Sequence, residues 1–166
     1  MVFTSNNRRG QTILDMIIVV IILFAFALTI VFANLILSDM NTDIQADTDM
    51  SDVAKADLNN FSINFPQFMD NAFVLFLALM WVALIVTSFL VDTHPIFFIL
   101  TIVLLVFVFI IGMIIANTYQ DIAAEGEITA SAAQFPQMTW VFENFLLIII
   151  SMGMTSALAL YAKAKL

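Results

Sequence analysis

Residues 72–116, AFVLFLALMWVALIVTSFLVDTHPIFFILTIVLLVFVFIIGMIIA, decide the fold. They hold two uncharged apolar runs, Ala72–Val91 and Ile96–Ala116, on either side of Asp92-Thr93-His94-Pro95. Each run is about 20 residues long, and at about 1.5 Å of rise per residue a helix of that length crosses a hydrocarbon layer of roughly 30 Å. Two such runs joined by four residues predict a transmembrane helical hairpin. Pro95 starts its second helix, since a proline is tolerated in a first turn.

Working outward, Ile13–Leu37 is a third apolar run, interrupted only by Asp15 near its start and Asn34 near its end. It is too long for a secretory signal, and no small-residue cleavage site follows it. A fourth run, Thr139–Tyr161, closes the chain. The expected fold is all-α, with four transmembrane helices at about 13–37, 70–91, 95–117 and 139–161 in one membrane domain. Composition agrees: 63% of residues are hydrophobic, 11% are charged and the mean hydropathy is +1.06. A soluble domain carries about 25% charged residues.

The net charge of −8 is concentrated in two connectors, 38–64 and 118–134. The first holds Asp39, Asp43, Asp47, Asp49, Asp52 and Asp57 against Lys55, and contains no Gly or Pro. Met50, Val53, Ala54, Leu58 and Phe61 recur at helical spacing there, which predicts a short amphipathic helix capped by Asp47 or Thr48. That helix lies on the membrane or against a partner, so Met50, Val53, Leu58 and Phe61 are the partner-facing candidates. The alternative is a solvated acidic loop. The second connector holds Asp121, Glu125 and Glu127, with Gly126 as its expected break.

Basic residues set the orientation. Arg8 and Arg9 precede the first span, and Lys163 and Lys165 follow the last. By the positive-inside rule both termini are cytosolic and both acidic connectors lie on the far side. Two short basic tips are no footprint for a dedicated nucleic-acid binder.

Little in the sequence carries chemistry. There is no cysteine, hence no disulfide or thiolate site. His94 is the only histidine and has only Asp92 nearby, whereas a metal site needs three or four converging ligands. Both read as parts of a turn. Asp15 and Glu143 read as acids near the positive ends of helix dipoles. Transporters show midplane charges or a polar stripe, and the centres of these runs are apolar all round. No small-molecule substrate, metal or cofactor is expected, apart from bound lipids.

Two patterns bear on packing. Ser151, Thr155 and Ala159 are spaced by four, with Gly153 and Ser156 beside them, and Gly112 and Ala116 form a shorter version. Small residues at that spacing let helices approach closely, within the chain or between copies. The triplet Phe65-Pro66-Gln67 is repeated at Phe135-Pro136-Gln137. Each copy is followed by an acid-Asn pair and a Phe: Asp70-Asn71 with Phe73, then Glu143-Asn144 with Phe145. The repeat predicts two helices that enter from the same side with the same proline-based start.

Arg9-Gly10-Gln11-Thr12-Ile13-Leu14-Asp15 resembles an archaeal-type prepilin cleavage region, although three further spans are foreign to a pilin. A second pattern covers more of the chain. Asp92-Thr93-His94-Pro95-Ile96-Phe97-Phe98, with Phe135-Pro136 leading to Glu143-Asn144-Phe145 and a basic tail, resembles small membrane proteins of tailless icosahedral phages. Those phages enclose a bilayer beneath the capsid. The resemblance implies a non-enzymatic structural protein of a virion's internal membrane, in contact with lipid, other copies and membrane or capsid proteins. Alternatives are an accessory subunit of a complex in a prokaryotic cytoplasmic membrane, and a holin-like or transport protein.

Overall fold

The computed structural model describes residues 11–90 and 95–164, with side chains over 15–89 and 102–162. The described residues form six helices: α1 (Gln11–Ala46), α2 (Asp52–Leu90), α3 (Pro95–Ala123), α4 (Gly126–Ala132), α5 (Pro136–Glu143) and α6 (Phe145–Ala164). Four of these, α1, α2, α3 and α6, are long and apolar enough to cross a membrane. The architecture is that of an integral membrane protein. Arg8, Arg9, Lys165, Asp92 and His94 lie outside the described residues, as does the side chain of Lys163.

Length separates the spans into two pairs. The 36 residues of α1 and 39 of α2 rise about 54 and 58 Å, more than the 40–45 Å of a whole bilayer. The excess is the first acidic connector. Its expected helix is present but is not a separate element: it runs straight into the second span, while α1 extends from the other side as far as Ala46. The connector therefore shrinks to a turn at residues 47–51 at the tip of a two-helix stalk.

The turn has its own chemistry. Asp47 Oδ1 accepts the Asp49 N–H at 2.8 Å, and Ser51 Oγ accepts the Ala54 N–H at 3.3 Å. Ser51, not Asp47 or Thr48, is therefore the cap of α2. Asp52 in the first turn suits the helix dipole. Asn41 Nδ2 donates to Asn59 Oδ1 at 3.2 Å, Gln45 Nε2 to the Lys55 carbonyl at 2.9 Å, and Lys55 Nζ to the Gln45 carbonyl at 3.2 Å.

In the bundle, α1 packs along α2 and α3, and α6 packs along the same two helices. The four spans form a ring in the order α1, α2, α6, α3. Thus α2 and α3, adjacent in the chain, occupy opposite corners; among the described residues their hairpin is one of connectivity rather than packing. Inward residues include Leu23, Ala27, Phe73, Leu84, Val108, Ile149 and Met152. The outer faces are equally greasy, with Leu75, Leu79, Ile114, Leu147 and Leu158 largely exposed. Apolar surface on that scale suits hydrocarbon rather than water.

Tight packing of α6 comes from its small residues. Gly112 of α3 faces Ile149 and Phe145 of α6, and Gly153 of α6 faces Leu105 of α3. Each helix thus offers a gap that the other fills. Ala116 and Ala159 are buried, and Ser151 returns its hydroxyl to the Leu147 carbonyl at 2.9 Å. Trp81 Nε1 donates to Thr155 Oγ1 at 2.9 Å, tying α2 to α6.

Candidate functional site

The chain places its buried polar side chains with most partners at the stalk end of the bundle, where α4 and α5 fold over α1, α2 and α3. The local cause is a helix without its own cap. Phe135 occupies the N-cap position of α5 and has no side-chain acceptor, and Pro136 takes the first helical position. The N–H groups of Gln137 and Met138 are left as orphan donors.

Asp70 of α2 supplies what Phe135 lacks. Its Oδ2 accepts from the Gln137 N–H at 2.9 Å and its Oδ1 from the Met138 N–H at 2.8 Å. The residue is 2% exposed. A carboxylate at a helix N-terminus gains from both the hydrogen bonds and the dipole. Next to it, Gln137 Nε2 donates to Asn71 Oδ1 at 2.7 Å. The two copies of the repeat therefore grip one another: the acid-Asn pair of the first holds the start of the helix opened by the second.

Two further ties complete this layer. Ser131 Oγ donates to the Val31 carbonyl at 2.9 Å and accepts from Asn34 Nδ2 at 2.9 Å, both side chains being buried. This pair fastens α4 to α1. Gln120 Nε2 reaches the Phe142 carbonyl at 3.4 Å. With one end held by Asp70 and the other beside Gln120, α5 spans from α2 to α3.

Beneath it runs a chain of rings. Tyr119 stacks on Phe142 with centroids 4.0 Å apart, Phe142 lies 5.0 Å from Phe145 and 6.0 Å from Phe73, and Phe26 lies 5.0 Å from Phe76. Rings from all four spans and α5 thus meet in one cluster. The Tyr119 hydroxyl is buried and has no hydrogen-bond partner among the described residues.

The structure redistributes the residues expected from sequence. Val53, Phe61 and Met50 are exposed, Met50 in the turn itself, and Leu58 is half-buried. Glu143 is exposed at the C-terminal end of α5, not in the first turn of the last helix, because the chain breaks at Asn144. Asp15 falls beyond the first turn of α1, which contains no acid. Pro66 does not open the second span; it lies well inside α2. The same proline-based start is therefore not shared, and only Pro136 begins a helix.

Among the described residues, no group of three or more His, Cys, Asp or Glu converges as a metal site would. Apart from the Tyr119 hydroxyl, the polar groups named above satisfy one another, and what they do is fasten elements together. Comparison with protein-family models, curated proteins and solved structures gave no match.

Sequence reasoning missed the Asp70 clamp and the Asn34–Ser131 pair. A signal for the first existed: a Phe-Pro start leaves donors that no local side chain can accept. Nothing local marked Ser131.

Proposed function

We propose that this chain is a non-enzymatic structural protein of a lipid bilayer, a scaffold whose ordered polar ends meet neighbouring proteins. The observation that carries the reading is the Asp70 clamp. A buried carboxylate in a membrane protein is a functional candidate by default, and here both oxygens are committed to backbone donors of α5. Asn34 and Ser131 are committed in the same way. Such polar groups stiffen one end of the bundle. The stalk then projects beyond the headgroups with Asp39, Asp43, Asp47, Asp49, Asp52 and Asp57 exposed.

The resemblance to membrane proteins of tailless icosahedral phages supports the internal membrane of a virion as the setting, with capsid or membrane proteins as neighbours. In this reading the termini are cytosolic during biogenesis and the stalk is on the opposite side. Copy number and cross-linked neighbours in the native particle test it. The expected result is many copies per particle with cross-links from Lys55 to one recurrent neighbour; a single copy bound to a larger enzyme would overturn it. Reconstituted vesicles are expected to hold an ion gradient as well as protein-free ones, and rapid leakage would favour a transport role.

A further inference from the structure

An open groove of about 340 Å³ lies between α2 and α5, lined by Val74, Leu77, Pro136, Gln137, Trp140 and Val141. Its volume falls at the lower end of the range for small-ligand sites. The lining is apolar except for Gln137, which suits lipid tails rather than water. Trp140 is 58% exposed on its rim, just before the 20 residues of α6 that rise about 30 Å. An exposed indole at the edge of a span is the usual marker of the headgroup level.

The rim also carries a charge pattern. Glu143 follows Trp140 by three positions on the exposed face of α5, and helical residues so spaced are neighbours. Lys55 is the one basic side chain described, and it is held in the stalk by the Gln45 carbonyl. Anionic lipids are drawn to basic clusters, and among the described residues this rim offers none. Aromatic faces and carboxylates instead attract quaternary and primary ammonium groups.

We infer that the α2–α5 groove binds a zwitterionic phospholipid, with an acyl chain against Val74 and Leu77 and the ammonium headgroup beside Trp140 and Glu143. The inference rests on the bilayer reading above and adds a lipid class and a place. A bound lipid here would seal the flank of the helix that Asp70 clamps.

The test uses the full chain in vesicles, with flotation scored first so that failure to enter a bilayer is distinguished from failure of the site. Trp140→Phe supplies the Trp81 background for fluorescence. Phosphatidylcholine with brominated chains is expected to quench Trp140 more than phosphatidylglycerol with the same chains at equal mole fraction. Val74→Phe, which fills the groove, is expected to remove about half of that quenching, since the outer face of the indole still meets bulk lipid. Val74→Met offers a milder filling should the first variant fail to fold. Leu75→Phe, on the exposed face beside the groove, leaves the quenching unchanged. Equal quenching by the two lipids overturns the proposal, as does quenching that is insensitive to both Val74 variants.

Discussion

Phe65-Pro66-Gln67 and Phe135-Pro136-Gln137 are the same three residues put to opposite uses. Pro66 lies inside a helix already running from Ser51, whereas Pro136 begins one after the break that follows α4. A residue before proline is biased away from the helical region. Phe135 obeys, with φ −117° and ψ 68°, while Phe65 is carried along as helix. The difference lies upstream. Residues 52–65 contain no Gly, start from a capped turn and pack against α1; the approach to Pro136 passes Gly126, whose φ of +38° ends the run from α3. Packing of the stalk outweighs the local preference at one copy, and nothing opposes it at the other.

The sharpest way to break this comparison is at Asp70, the residue through which one copy serves the other. Asp70→Ala leaves the N–H groups of Gln137 and Met138 without an acceptor, and that of Met138 is buried. A buried orphan costs about 1–3 kcal/mol, and loss of an N-cap costs about 1 kcal/mol. A loss of about 3 kcal/mol is expected from denaturant unfolding in detergent micelles. Glu143→Ala, at the matching acid of the second copy, is expected to change stability by less than about 0.5 kcal/mol because that residue is exposed. Equal effects at the two acids would mean that the clamp does not hold α5.

Next in size are the prolines. Pro66 removes the donor that the Ser62 carbonyl would otherwise have, a defect of up to about 3 kcal/mol in an exposed helix. Pro66→Ala is therefore expected to raise stability by about 1 kcal/mol, the remainder being offset by lost contacts of a buried ring. Pro136→Ala should lower it by a few tenths, because proline at a first helical position suits the backbone already. The reverse order would show that the proline ring at position 66 is needed for the fit of α2 to the bundle.

The same two segments show how far the sequence could be read. Four spans follow from runs of apolar residues, because crossing hydrocarbon is a constraint each helix meets alone. The helical stripe at 50–61 was legible, but its continuity with the span was not, since Pro66 argued for a new start and only contact with α1 cancels that argument. The apolar pattern alone gives the last span as one helix from Thr139; the break at Asn144 goes with the hold of Asp70 and Gln120 on α5. Those partners lie on other helices, at sequence separations of 67 and 68 for the clamp and 22 for Gln120. The ring order of the spans depends on which gap accepts which side chain, as with Gly112 and Ile149.

A small effect, and the one that sharpens the comparison most, is at Asn71. Its Oδ1 accepts the Gln137 side-chain amide at 2.7 Å, a shorter contact than either made by Asp70. Distance alone would rank it first. Yet both amides are exposed, so water or headgroups replace the bond when it is lost, whereas nothing replaces the carboxylate at the buried Met138 N–H. Asn71→Ala is accordingly expected to cost about 0.5 kcal/mol, and its combination with Asp70→Ala should add less than the sum, since once α5 is unclamped Gln137 no longer stays within reach. A loss at Asn71 as large as that at Asp70 would move the grip on α5 from the buried carboxylate to the exposed amides, and the two copies of the repeat would then be joined at their surfaces rather than through the core.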